Sequence, residues 1–529
     1  MNSDDHPGDL ARGWLRGRLT RRQVLARLAA TGVSLPAASA FLAACGGGSA
    51  ASTSTRTRLT VGIIQEPTVL DPTVDATASI ALLLRDNVYE GLVRLGPNLS
   101  VVPGLARSWD VSADGRTLTF HLVGGVRWHD GSPFTAGDVV SSWTRAMDAN
   151  SKPVNPHVDY WAPVQSVQAA DDATVRVSLK QYSDNFLFHM TSGAASIMSP
   201  KTAATNVTSP VGTGPFRFGA WNKGATLSLT RNDAYWGSKA RLKDVVFRFI
   251  TDANAMNNAL KAGDIDAIGQ VGGPEQVAGF KSDSRFQVLV GAPVGKVIVA
   301  MNNAQGALKD PRVRRAISMA IDRRAWIDGI QAGYAVPIGS HSVPNAGEPY
   351  YVDETAVNPH DPAQAKQLLQ TAGYGGGLSL RLAQITDFPY AVRGTDILLS
   401  ELKDVGIGLS VDQMTFQRWL SQVFLGSQDY DLTIINHAEE RDIGNYANPR
   451  YYWHYQNAQV TQWLAQADAE QTTSTRQSLY AQVQRQLAAD AANGYVMSPR
   501  TLAIIRSDVK AYPTVSLSSP LLLRDTHFS

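Results

Sequence analysis

The sequence predicts an α/β protein, and three observations predict it. Strand-like and helix-like stretches alternate through the second half. One of the strands there, YDLTIIN (430–436), is a near-continuous apolar run, as expected of a buried strand in α/β packing. The first half carries shorter alternating strands bounded by turn residues. No repeat with a period of roughly 20–50 residues is present. Beyond residue 57 no linker-like stretch divides the chain, so domain boundaries fall at crossovers between interwoven lobes.

Each element follows from its pattern. RLTVGII (58–64) reads as a strand, and Glu66-Pro67 turns it into a loop. Leu83, Leu84, Val88, Leu92 and Leu95 recur at helical spacing and predict a helix over 79–95. TLTFHLV (117–123), TVRVSL (174–179), TLSLT (226–230) and VVFRFI (245–250) are short strands, and a helix spans 253–262. KVIVAM (296–301) is a strand leading into a helix over 310–330. Asp310 is its N-cap, Pro311 suits its first position, and Val313, Ala316, Ile317, Ala320, Ile321 and Ile327 form its buried face. LSLRLAQI (378–385), IGLSVDQM (407–414) and YDLTIIN (430–436) are strands, with helices over 391–404 and 416–425 between them.

The N-terminus reads as an export signal. Six arginines and three aspartates fall in the first 44 residues, followed by an uncharged stretch from Leu28 to Ala44. A basic region, an apolar region and small residues before a cut define such a leader. At about 17 residues, with Pro36 inside it, the stretch is short for a membrane span. Leu42-Ala43-Ala44-Cys45 is similar to the bacterial lipobox, which implies a signal over 1–44 and lipid attachment at Cys45. Thr20 to Leu25 (TRRQVL) resembles a twin-arginine motif. The glycine- and serine-rich stretch after Cys45 reads as a flexible tether over 45–57. Two acyl chains on one residue anchor a protein stably where one chain does not.

The whole chain carries a net charge of +2 while the first 44 residues alone carry +3, so the exported part is near −1 and nothing points to nucleic acid. Cys45 is the single cysteine, which leaves the exported part without disulfides or a thiolate nucleophile. About 485 residues after the cut call for more than one core.

Several stretches together resemble the family 5 extracellular solute-binding proteins, the peptide-binding components of ABC importers. They are NVYEGLVRL (87–95), the signature-like segment from Val102 to Asp148, SPVGTGPFRF (209–218), NDAYWG (232–237), ALKAGDIDA (259–267), the 301–323 segment and AKQLLQTAGY (365–374). The resemblance covers about residues 58–500. It implies a two-lobed periplasmic-binding-protein type II fold, cluster C-like, with an extra subdomain in the first lobe. Carried onto this chain, lobe I comprises 58–99 and 211–301, the extra subdomain 100–210, lobe II 302–498, and 499–529 returns to lobe I. Read without the resemblance, Gly212-Thr213-Gly214-Pro215 is a strand-entry turn, since no Lys-Ser/Thr follows for a phosphate loop.

Ligands of open α/β sheets sit beyond the carboxyl ends of strands. Here YDLTIIN runs into His437-Ala438-Glu439-Glu440-Arg441-Asp442. The resemblance implies that a carboxylate in this loop holds a ligand α-ammonium. Glu440 falls on that position, with Asp442 as the fallback and Glu439 beside them. The chain departs from the family at Asn436-His437, where Gly-Trp is common, and at Glu440, where Asp is. Phe416, Gln270, Thr77 and Ser79 match other segments lining the cleft. The aromatic NPRYYWHY (448–455) either faces the cleft or packs in the core.

The resulting expectation is a monomeric, lipid-anchored binding protein on the outer face of the cytoplasmic membrane. It delivers short peptides to an ABC permease and its ATPase, with no resident cofactor, no metal and no catalysis. Haem, a nickel chelate, glutathione or an oligosaccharide are the alternative ligands, and a non-transport scaffold the alternative role. No HExxH or GxSxG motif supports a hydrolase.

Overall fold

The computed structural model describes residues 56–75, 77–96, 100–345, 347–439, 441–514 and 520–529. Residues 57–528 form one compact unit. Its centre is a twelve-stranded sheet, built from two parts that share one long strand, Gly494–Arg506. In the first part Arg58–Ile63 runs parallel to Asp244–Phe249, which is followed outward by Thr226–Arg231 and Phe216–Asn222. In the second part Leu378–Ile385 lies between Ile407–Met414 and Leu432–His437, parallel to both. Lys296–Met301 then pairs antiparallel with Leu432–His437 and with the long strand.

The two parts meet at a pair of crossing strands. Val297 faces Met497 in one part, and Pro293 faces Arg500 in the other. Each part has its own core. One lies among buried residues from Val297 to Met497, and another packs Leu59, Val61, Ile63, Phe247 and Ile505. A separate four-stranded sheet of Ala106–Val111, Thr117–Leu122, Thr174–Leu179 and Val164–Asp171 packs a further core around Phe120, Trp143 and Phe186.

Most predicted strands occur where their apolar runs place them, and three helices differ. The helix expected over 79–95 is only Ala78–Leu84, and Val93–Leu95 is a strand. Between them lies a buried polar turn. Asp86 adopts φ 59°, and the Asn87 amide donates to the carbonyls of Leu83 (3.0 Å) and Leu521 (2.7 Å). The Arg85 guanidinium lies under Gly91, where a Cβ would fall 2.4 Å from Nη2. The leucines at helical spacing thus belong to two elements. The helix expected over 310–330 divides into Pro311–Ala320 and Arg323–Gln331, because Asp322 turns extended and caps the second by accepting from the amides of Arg324 and Ala325. The expected 416–425 helix is one short α-helical stretch, Phe416–Trp419, continued by a π turn, Leu420–Phe424. Among the described residues no helix is long and apolar enough to cross a membrane.

Gly212 to Pro215 leads onto the strand at Phe216, as a strand-entry turn should. A Cβ on Gly212 would lie 1.8 Å from the Val88 carbonyl oxygen, and one on Gly214 2.4 Å from that of Asn87. Gly212→Ala is expected to cost about 1–3 kcal/mol or more through this backbone clash. Gly124→Ala, where a Cβ meets nothing within 4 Å, is expected to change stability by less than about 0.5 kcal/mol. Denaturant midpoints of the two variants check the contrast.

Candidate functional site

The Leu432–His437 strand ends at the carboxyl edge of the second part of the sheet, and the acidic loop leaves from there. Across the ladder from His437 stands Lys296, the first residue of the buried KVIVAM strand. Its ammonium is fully buried and has three acceptors. Nζ donates to Asp442 Oδ1 (2.6 Å), the Glu439 carbonyl oxygen (2.6 Å) and Glu348 Oε1 (3.0 Å). Three N–H groups thus find three oxygens, which a buried ammonium requires.

Asp442 is as fully engaged. Besides Lys296 it accepts from His341 Nε2 (3.1 Å to either oxygen) and from His437 Nδ1 (3.0 Å). Each imidazole is oriented from behind: Tyr446 Oη lies 3.2 Å from His341 Nδ1, and Tyr452 Oη 2.8 Å from His437 Nε2. One proton per ring, on the nitrogen facing Asp442, satisfies both pairs. Glu348 takes the hydroxyl of Ser342 (2.7 Å) and the amide of Val343 (2.8 Å).

The electrostatics follow from this packing. Burial opposes the Lys296 charge, but Asp442 and Glu348 outweigh it and raise the ammonium pKa above its ordinary value. Burial likewise acts to raise the Asp442 pKa, yet His341 and Lys296 hold it well below the usual carboxylate range. His341, wholly buried, is pushed down to about 4 by desolvation, which the Asp442 charge only partly offsets. Nitrogen and oxygen atoms of His341, His437 and Asp442 lie within 4.8 Å of one another, as metal ligands would. The Lys296 ammonium already sits on the same carboxylate, so a cation there would meet a like charge 2.6 Å from its ligand. The donor set fits a closed hydrogen-bonded network and not a metal centre.

The site residues expected from sequence divide accordingly. The structure joins His437 and Asp442, and the fallback anchor Asp442 accepts from the chain's own Lys296, His341 and His437. Asn436 is half-buried, and its backbone N–H donates to Tyr390 Oη (3.0 Å). Phe416, also half-buried, packs 5.0 Å from Phe388, which stacks 5.6 Å from Tyr390, so an aromatic row leads from Phe416 to Asn436. Glu439 is half-buried, whereas Glu440 and Cys45 lie outside the described residues. Thr77, Ser79 and Gln270 belong to the first part of the molecule. Thr77 gives its hydroxyl to Asp75 (2.6 Å), Ser79 is buried in the first turn of its helix, and Gln270 is half-buried just past the Ala267–Ile268 strand. Of the aromatic 448–455 run, Tyr452, Trp453 and Tyr455 are core residues, and His437 packs against the first two at 6.0 and 5.2 Å.

Lys296, His341 and Glu348 are the residues that sequence reasoning missed. Lys296 had a signal: a lone charge opening a strand whose next five residues are all buried. His341 and Glu348 come from a loop with no pattern of its own.

Two sheet parts joined by crossing strands, with an acidic loop at the carboxyl edge of one, define a two-lobed solute-binding protein of the type II class. Residues 100–459 match the bacterial extracellular solute-binding proteins, family 5 Middle, and the chain belongs to that family. The glutathione-binding protein GsiB of Pectobacterium atrosepticum is 29% identical over 354 residues, 66% of this chain and 67% of that protein. The structure of DppA from Helicobacter pylori in complex with the peptide STSA matches with a TM-score of 0.78 and 25% identity, over 89% of this chain and 98% of the other. NikZ from Campylobacter jejuni in complex with Ni(L-His) matches with 0.75 and 21%, over 88% and 97%. The chain is thus an extracellular substrate-binding component of an ABC importer and not an enzyme.

Replacing Lys296 by Met strands two buried carboxylates and is expected to cost about 3–5 kcal/mol, read as a lowered denaturant midpoint at pH 7. Acid sensitivity is expected from the buried histidines. His341 and His129 are held at about 4 and His189 at about 3, chiefly by burial, against 6.5 in the unfolded chain. Between those values the unfolded chain binds protons that the folded one refuses, so stability falls as pH drops below 6.5. Each histidine contributes about 1.4 kcal/mol per pH unit. Unfolding measured from pH 7 to 4.5 is expected to show this slope, and His341→Gln to make it shallower.

Proposed function

We propose that this chain captures short peptides outside the membrane, holds their α-ammonium on the acidic loop, and presents them to its permease while tethered through a lipidated Cys45. The observation that carries this reading is the use of Asp442 by Lys296. With that carboxylate neutralised from inside, the loop's remaining acidic charge, Glu439 and Glu440, is left for a ligand cation. Charge-assisted hydrogen bonds in a water-excluded cleft suit an ammonium group. The match to DppA in complex with a peptide supports the same ligand class. An extended peptide also bonds through its main chain, which tolerates varied side chains.

Native mass spectrometry of residues 46–529, before and after mild denaturation, is expected to release a mixture of short peptides. A haem, a metal chelate or a sugar in their place overturns the peptide reading. Glu440→Gln is expected to weaken binding of released peptides about tenfold or more, and Asp442→Asn to lower stability. N-acetylation of the peptides is expected to cost as much as Glu440→Gln. In a bacterial host, palmitate labelling is expected in the full chain and lost in Cys45→Ser.

A further inference from the structure

Tyr451 is the first ring of the aromatic run that packs behind the acidic loop, and four neighbouring rings fix its position. Its ring centroid lies 4.4 Å from that of Trp453 and 5.1 Å from that of Tyr452. Phe424 meets it edge-on at 5.5 Å, and His437 lies at 6.3 Å. Its backbone is closed as well, the amide donating to the Asn448 carbonyl (3.0 Å) and the carbonyl accepting from His454 (2.7 Å). A ring held in this way carries its hydroxyl at a fixed place.

The neighbouring tyrosines use their hydroxyls within the chain. Tyr446 bonds His341 (3.2 Å) and Tyr452 bonds His437 (2.8 Å). Tyr430 donates to the Tyr452 carbonyl (2.9 Å), and Tyr455 donates to Asp490 (2.6 Å). Tyr451 differs. It is half-buried, and among the described residues its hydroxyl has no hydrogen-bond partner. Glu439 is in the same condition. Its backbone carbonyl takes Lys296 Nζ (2.6 Å), while its half-buried carboxylate has no partner among the described residues. The two groups lie within electrostatic reach of each other. Burial raises the Tyr451 hydroxyl well above its ordinary pKa, and Asp442, Glu439 and the Tyr160 and Asp159 of the Val158–Trp161 turn add to the effect. The phenol therefore stays a donor.

A free acceptor near a free donor matches one common group. An α-ammonium followed by a carbonyl offers N–H donors and, two carbons on, an acceptor oxygen. A plain amine offers the donors alone. We propose that Tyr451 is a specificity residue of this site: its hydroxyl donates to the carbonyl oxygen next to the ligand's α-ammonium and so selects α-amino acyl solutes over plain amines. The inference rests on the acidic loop holding the ammonium, and of the loop's carboxylates it needs only Glu439.

Calorimetry would compare binding of the peptide STSA to the purified protein in wild type and Tyr451→Phe. Each is also given the STSA analogue with sulfur in place of the first carbonyl oxygen. Tyr451→Phe is expected to weaken STSA binding about three- to tenfold, the size of one neutral hydrogen bond. The thioamide is expected to lose as much on wild type and nothing further on Tyr451→Phe, because one contact is removed twice. The denaturant midpoint of Tyr451→Phe is expected to stay at the wild-type value, since the lost hydroxyl leaves no partner behind. Tyr452→Phe, which strips His437 of a partner, is expected to lower it. Equal STSA affinity in wild type and Tyr451→Phe overturns the proposal alone, as do additive effects of variant and thioamide. A lowered midpoint in Tyr451→Phe gives the hydroxyl a structural role and overturns it too. A wild type that binds STSA no better than N-acetylated STSA overturns the anchor reading, and the proposal with it.

Discussion

The site depends on one buried ammonium. Lys296 joins the start of a central strand to Glu348 and to both ends of the acidic loop, through the Glu439 carbonyl and the Asp442 carboxylate. A buried ion pair of this kind is weak evidence for net stability, because desolvation offsets the attraction. Its effect is geometric. Few arrangements of the loop satisfy three acceptors on one nitrogen, and the alternatives leave a charge unpaired in the interior.

That constraint also explains the two histidines. A carboxylate facing an ammonium has lone pairs left over, and inside a protein those need donors. His341 and His437 supply them, and tyrosines behind each ring fix which nitrogen faces forward. The aromatic run at 452–455 therefore has a polar task besides packing. The His437 ring lies flat against Tyr452 and also hydrogen-bonds Asp442.

Sequence reading recovered the sheet better than the site. Strands 296–301, 378–385 and 407–414 were legible to the residue: the first is buried throughout and opens with a lone charge before an apolar run, and the other two alternate apolar with polar residues after a glycine turn. Asp310-Pro311 was legible because capping is local chemistry. The 79–95 helix misled because leucines on either side of a buried polar turn fall by chance at helical spacing. Within the candidate site, His437 and Asp442 stand out in sequence because they follow a strand end. Their roles were hidden, since the partners of Lys296 lie 52 and 146 residues away. Long-range pairing of single charged side chains leaves no periodic trace.

The long strand Gly494–Arg506 bears on how the molecule is made. It stands in the middle of the sheet, flanked by Lys296–Met301 on one side and Ala267–Ile268 on the other, yet it comes near the end of the chain. During synthesis both neighbours emerge long before it, and each waits with an unfilled edge. Contacts this distant in sequence form slowly. Because Gly494–Arg506 follows both of its neighbours in sequence, the two halves of the sheet stay unjoined until that strand has been made.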